Sequence, residues 1–267
     1  MSLIDLKQVS RIYGEGATEV RALDCVDLTI EQGEIVALLG PSGSGKTTLL
    51  NVIAALDQPN DGEYSFEGDK VPRDNVESMT EFRRENIGYI FQFFNLLGDL
   101  TAIENITLVQ ELSGNRDLEF AEKLLKDVGL EGLENRFPSQ MSGGQRQRVA
   151  IARSLAKRPK MILGDELTGN LDTKTSKQVM ESLIDTCREN KMTTLFVTHD
   201  ASLTQYASRV IRLDSGKIVS DEQGGLSSIS GKAKTLVKDV KKGAQSIAED
   251  GVNMVKSVTS KASEIFR

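Results

Sequence analysis

The 267-residue chain has no tryptophan, a single histidine, two cysteines and five prolines. Cys25 and Cys187 stand alone, with no C-x-x-C pair, which disfavours a disulfide scaffold or zinc module and fits a reducing cytosol. No apolar run approaches the roughly 18 residues a spanning helix needs. Ile35–Leu39 is the longest clear block. The start, Met1-Ser2-Leu3-Ile4-Asp5, lacks the basic residues and apolar centre of a secretory signal. A secreted or integral membrane protein is therefore not expected. What is present, 27% charged and 39% hydrophobic residues, is ordinary for a globular chain with one large domain or two small ones.

The net charge of −6 averages two unlike pieces. From Gly231 to Arg267 eight basic residues oppose four acids, so this tail carries +4 and residues 1–230 carry −10. All five prolines lie in the larger piece. The expected organisation is a main domain over 1–223, a flexible Gly/Ser-rich linker over 224–231 and a tail over 232–267. Apolar residues recur in the tail from Val237 through Val240, Ala244, Ile247 and Met254 to Ile265, an amphipathic helix period. Its apolar face is weak, and Gly243 and Gly251 each cost a helix about 1 kcal/mol against alanine. Two readings stay open: a helix laid on an anionic membrane surface or a partner chain, and a solvated, disordered extension.

In the main domain, Leu3–Val9 and Val20–Ile30 alternate loosely, as antiparallel half-buried strands do. Short apolar runs at Glu34–Leu39, Ile87–Phe91, Met161–Leu163 and Thr193–Thr198 read as buried strands, with helical patterns at Phe120–Val128, Gln145–Ala156 and Thr175–Glu189. The expectation is an α/β fold with a mostly parallel sheet, an antiparallel β subdomain and a helical insertion over about 95–157.

Gly40-Pro41-Ser42-Gly43-Ser44-Gly45-Lys46-Thr47-Thr48 fits G-x-x-x-x-G-K-[ST] between a buried strand and a helix expected to run to Leu56. The glycines let backbone N–H groups converge on phosphates at a helix N-terminus, Lys46 adds a point charge, and the Thr47 hydroxyl suits Mg²⁺. A P-loop NTPase core that binds a nucleoside triphosphate is expected. Met161-Ile162-Leu163-Gly164-Asp165-Glu166 delivers two carboxylates at a strand end, where ligands collect in open α/β sheets. Alternation would aim them oppositely, so that Asp165 holds magnesium through water and Glu166 polarises an attacking water. His199, after the strand Thr193–Thr198, is placed for a phosphate-facing hydrogen bond.

Ser142, Gly143, Gly144 and Gln145 open a helix with small residues, a second anion site of the same physical kind. With the two motifs above, residues 2 to about 222 resemble the ATP-binding subunit of ABC transporters. The resemblance implies that Tyr13 stacks on adenine, that Gln92 reaches Mg²⁺ and faces the transmembrane partner, and that Asp172 lies in a loop crossing to the other subunit. It also implies that Glu166 is the catalytic glutamate and His199 the switch histidine. ATP and Mg²⁺ are then the cofactors, with Thr47, Gln92 and Asp165 (through water) at the metal. The resemblance further implies a head-to-tail homodimer in which Ser142–Gln145 meets the nucleotide of the opposite chain.

Phe91-Gln92-Phe93-Phe94-Asn95-Leu96, Leu100–Ile106 and Thr168–Asp172 look like the lipoprotein-releasing and macrolide-exporting branch, with which the cell-division ATPase shares much of the pattern. Expected, then, is an ATP-hydrolysing subunit that drives a separate permease in export or extraction, peripheral on the cytoplasmic face of the inner membrane. No nucleic acid is expected as a partner. Three positions depart from the family: Leu167 for proline, Gly98 for proline and Gly164 for alanine. Leucine lacks proline's fixed φ, so the loop carrying Glu166 is expected to be less rigid and hydrolysis slower. That motivates the alternative of an ATP-dependent clamp with weak hydrolysis.

Overall fold

The computed structural model describes residues 1–226, Asp74 and Asn170 excepted. The tail expected over 232–267, and with it the membrane-surface reading, lies outside the described residues. Met1–Gly225 forms one compact unit.

In chain order the unit runs β1 Ser2–Tyr13, β2 Val20–Glu31, β3 Ile35–Leu39, α1 Lys46–Ile53, β4 Asp61–Phe66, β5 Asp69–Lys70, α2 Val76–Asn86 and β6 Ile87–Ile90. It continues with α3 Ala102–Leu112, α4 Leu118–Asp127, α5 Gly143–Leu155, β7 Met161–Gly164, α6 Thr173–Glu189, β8 Thr193–Val197, β9 Arg209–Asp214 and β10 Lys217–Gln223. Strands β2-β1-β4-β5 make an antiparallel sheet. The second sheet has the order β10-β9-β3-β8-β7-β6, parallel except for the β9–β10 hairpin. Segment 95–157 holds α3, α4 and α5, which pack on one another.

The loose alternation of β1 and β2 has a local cause. Their register slips between Leu6 and Val9, and Gln8 and Cys25 take positive φ at the irregularity, so the buried phase changes along each strand. β3 lies between β8 and β9, and all five of its residues are buried, which is why it reads as a continuous apolar run.

Helix α1 stops at Ile53, three residues short of the expected Leu56. It closes in a Schellman motif: Ala55 N–H donates to Val52 O at 3.0 Å and Leu56 N–H to Asn51 O at 2.8 Å, with Ala55 at φ +52°. An alanine at the left-handed position hides the stop from the sequence, since glycine is the usual sign.

Candidate active site

The adjacency of β3, β8, β7 and β6 builds the site. All four run parallel, so their C-terminal ends share one sheet edge. Gly40–Thr47 follows β3, His199 follows β8, Asp165 and Glu166 follow β7, and Gln92 follows β6. Residues more than 150 positions apart in the chain thereby converge where ligands bind in open α/β folds.

The phosphate loop is held by backbone approach. Gly45 caps α1 at φ +102°, and a Cβ there would lie 2.2 Å from Ala22 O; a Cβ on Gly40 would lie 2.1 Å from Leu213 O. Neither position admits a side chain. Lys46 is buried, and its ammonium donates to Gly40 O at 2.9 Å and Pro41 O at 2.7 Å, both in the loop itself. Pro41 O also accepts from Ser44 N at 3.3 Å, and the buried Ser44 hydroxyl has no hydrogen-bond partner. Ser42 and Gly43 form the exposed tip, and Thr48 continues the first turn of α1 behind Thr47.

The two carboxylates have different neighbours, though strand alternation does not separate them. β7 ends at Gly164, and Glu166 sits beyond it at φ +43° in a turn. Asp165 faces the loop, its Oδ1 3.5 Å from the Thr47 hydroxyl. Burial, with Glu166 beside it, holds the Asp165 carboxyl above the usual carboxylate range, against the opposing pull of Thr47 and Lys46. Glu166 is bracketed. Gln92 Nε2 donates to its Oε2 at 3.2 Å, and His199 Nδ1 lies 3.7 Å from its Oε1. Sequence reasoning passed over Gly169, where a Cβ would lie 3.2 Å from Gln92 Nε2 and 3.6 Å from Glu166 Oε2. The Thr-Gly pair at 168–169 was its only sign.

The remaining residues stand apart from this cluster. Ser142 and Gln145 form a capping box on α5: Gln145 N–H donates to Ser142 Oγ at 3.3 Å, and Ser142 N–H to Gln145 Oε1 at 2.9 Å. Among the described residues no hydrogen bond joins Ser142, Gly143, Gly144 or Gln145 to the phosphate loop. Asp172 caps α6, accepting from Lys174 and Thr175 N–H and, at 2.6 Å, from the Thr175 hydroxyl. Those bonds pull its carboxyl below the usual range. Tyr13 is 38% exposed, and its hydroxyl donates to Asp57 at 2.5 Å while the Arg11 guanidinium lies 4.5 Å from its ring centre. The Arg11–Asp57 pair that fixes this ring was not foreseen; its carboxylate lies 44 residues away in the chain.

The family model described as ABC transporter matches residues 23–169, which take in the phosphate loop, the α5 opening and the acidic turn. The chain belongs to the ABC transporter family. This ABC ATPase is 46% identical over 221 residues to an uncharacterized ABC transporter ATP-binding protein of Methanocaldococcus jannaschii, covering 81% of the chain and 98% of that protein. It is 41% identical to the lipoprotein-releasing system ATP-binding protein LolD of Geobacter metallireducens, covering 82% and 99%. It is also 40% identical to the macrolide export ATP-binding/permease protein MacB of Hyphomonas neptunium, covering 99% of the chain but 41% of that protein. Among solved structures, the dimeric post-hydrolysis state of the ATP-binding cassette MJ0796 bound to ADP and Pi matches with a TM-score of 0.75 and 39% identity, over 82% of the chain and 98% of the cassette.

The chain is thus an ATP-binding, ATP-hydrolysing subunit of an ABC transporter. Among the described residues no helix is long and apolar enough to cross a membrane. Leu167 is 4% exposed and packs against Gly164. With Glu166, Gln92 and His199 assembled, the weak-hydrolysis clamp is not favoured.

The site also fits a magnesium ion. Thr47 and Asp165 offer hard oxygens facing one another beside the phosphate loop, and Asp165, whose burial disfavours its charge, gains from a cation there. No cluster of three or more His, Cys, Asp or Glu exists among the described residues, so the ion would take its other ligands from water and nucleotide oxygens.

Proposed function

We propose that two copies close head to tail over two ATP molecules, and that this closure works a transmembrane permease on a separate chain in export or extraction from the membrane. The observation that carries the reading is the division of the site. Lys46, Thr47, Asp165, Glu166, Gln92 and His199 converge at one sheet edge, while the N-terminus of α5 at Ser142–Gln145 makes, among the described residues, no hydrogen bond to that phosphate loop.

In the closed dimer Lys46 would leave Gly40 O and Pro41 O for the phosphates, exchanging two neutral acceptors for anionic ones. Thr47, Gln92 and, through water, Asp165 would hold Mg²⁺, which would supply charge neutralisation at the phosphoryl group. Glu166 acts as the base toward the attacking water. Gln92 and His199, on its two oxygens, orient it, and His199 can turn from the carboxylate toward the γ-phosphate. Tyr13 presents its exposed ring to adenine, and Asp172 crosses to the partner subunit.

A groove of about 340 Å³ suits the permease. It is lined by Leu56, Tyr89, Phe91, Val109, Arg153 and Lys157 and is mostly apolar, with the Tyr89 and Phe91 rings stacked 4.4 Å apart. Gln92 follows Phe91 directly, so a permease segment seated here bears on the residue that contacts Glu166. LolD and MacB, both similar to this chain, place it in the lipoprotein-releasing and macrolide-exporting branch and support a position on the cytoplasmic face of the inner membrane.

Subunit mixing tests the head-to-tail arrangement. Lys46→Ala and Ser142→Arg are each expected to abolish hydrolysis. A mixed dimer of the two contains one site with both defects and one intact site. Single-turnover phosphate release should reappear on mixing; a mixture no more active than its components contradicts the arrangement.

A further inference from the structure

The chain doubles back immediately after β7. Asp165 N–H donates to Ile90 O at 3.0 Å, which fixes the entry to the turn, and Gly169 N–H returns to Glu166 O at 3.1 Å. Between them Glu166 sits at φ +43°, a conformation that a residue with a side chain adopts only when its surroundings impose it. The entry is held by a hydrogen bond. At the exit stands Leu167, which has no ring to set its own φ.

The side chain of Leu167 supplies that hold. It is 4% exposed, and its Cγ, Cδ1 and Cδ2 all lie 2.9 Å from the place a Cβ on Gly164 would occupy. Because Cγ itself crowds that point, turning the Cβ–Cγ bond does not clear it, and the whole isobutyl group would have to swing out of its seat about Cα–Cβ. Glycine at 164 and leucine at 167 are therefore one steric unit, and each choice makes sense only with the other.

We propose that Leu167, seated in the space left by the missing side chain of Gly164, is the positioning residue that keeps Glu166 in its left-handed conformation with its carboxylate between Gln92 and His199. Gly164 belongs to a parallel strand paired on both sides, by β6 and β8, so the seat is as rigid as the sheet. The inference rests on Glu166 as the catalytic base and assigns a role to two residues outside that base.

The test compares Gly164→Ala, Leu167→Ala, the double variant and Glu166→Gln, measuring kcat, KM for ATP and melting temperature. Gly164→Ala unseats the leucine and should lower kcat about tenfold, since a misplacement near 1 Å can cost up to about a hundredfold. KM should stay within about twofold, because the phosphate loop is untouched. Leu167→Ala adds no clash, so it remains readable if Gly164→Ala folds poorly, and it should lower kcat about fivefold. In the double variant the leucine is already gone, so the new Cβ should add no further loss and kcat should stay near that of Leu167→Ala. Single variants at the parental kcat, losses that multiply in the double, or KM rising in step with falling kcat would overturn the proposal. A Glu166→Gln protein with parental turnover would remove the base and this inference with it. A dead Glu166→Gln beside indifferent Gly164→Ala and Leu167→Ala would remove the inference alone.

Discussion

The methyl group of Thr175 occupies the space a side chain on Gly144 would need: a Cβ there would lie 2.3 Å from Thr175 Cγ2. The hydroxyl of the same threonine donates to Asp172, and Leu171 Cδ2 lies 3.2 Å from the corresponding point on Gly143. The helix opening proposed to meet the partner's nucleotide and the loop proposed to cross to the partner are thus packed against one another, and in the proposed closure they would move together.

Gly144→Ala should therefore displace α5 from α6 and lower steady-state hydrolysis about tenfold or more, while leaving nucleotide binding to the isolated phosphate loop unchanged. Thr175→Ser removes the methyl and keeps the hydroxyl on Asp172. Combined with Gly144→Ala it should restore most of the lost rate; a double variant no faster than Gly144→Ala refutes the packing account.

The proposed place of Asp165 at the magnesium ion would make hydrolysis sensitive to acid. Its carboxyl is held above the usual range by burial, so as pH falls it takes up a proton before exposed carboxylates do. Protonated, it cannot support Mg²⁺. The magnesium concentration needed for half-maximal hydrolysis should rise as pH drops through that raised value, and Asp165→Asn should show the high requirement at every pH.

Lys157 in the groove donates to Arg83 O at 2.6 Å, and burial with Arg83 and Arg84 nearby lowers its pKa to about 8. Between that value and the unfolded 10.5 the unfolded chain binds more protons than the native one, so Lys157 contributes rising stability with pH over this window. Below about 8 both states are protonated and the penalty is fully present. Tyr64 and Tyr89, raised by burial, act in the opposite sense at higher pH. Lys157→Met should raise the melting temperature most at neutral pH and flatten its rise from pH 8 to 10. An equal shift at both pH values would show that Lys157 is charged throughout.

Leu56 is half-exposed at the groove and stands outside the catalytic cluster. Leu56→Asp should leave the hydrolysis rate of the isolated subunit within about twofold while abolishing its response to the permease in reconstituted lipid, because a desolvated charge opposes docking. Retained coupling would move the docking surface elsewhere.

The sequence made the chemistry plain where a motif is continuous. Gly40–Thr48, Asp165–Glu166 and Ser142–Gln145 need only local backbone, so their spacing is visible in one dimension. The strands that carry them are short, fully buried apolar runs for the same reason. The β9–β10 hairpin was passed over although Ser215 and Gly216, both at positive φ, form a two-residue turn that Ser-Gly announces. Helix α2 was missed because it is strongly polar and buries little beyond Met79 and Phe82. The geometry of Glu166 was not legible at all. That residue sits in a turn bounded by the Asp165 N–H to Ile90 O and Gly169 N–H to Glu166 O bonds, and the burial of Leu167 beside Gly164 is a contact that only the fold creates.

ATP is proposed to close two copies of this chain, and Glu166 to end the closed state by hydrolysis. Light scattering of the Glu166→Gln protein with magnesium and either ATP or ADP, alongside phosphate release, decides the matter. Expected are a dimer with ATP, a monomer with ADP, and phosphate release slowed about a hundredfold or more relative to the parent. A monomer under both nucleotides, or release at the parental rate, would contradict this proposal.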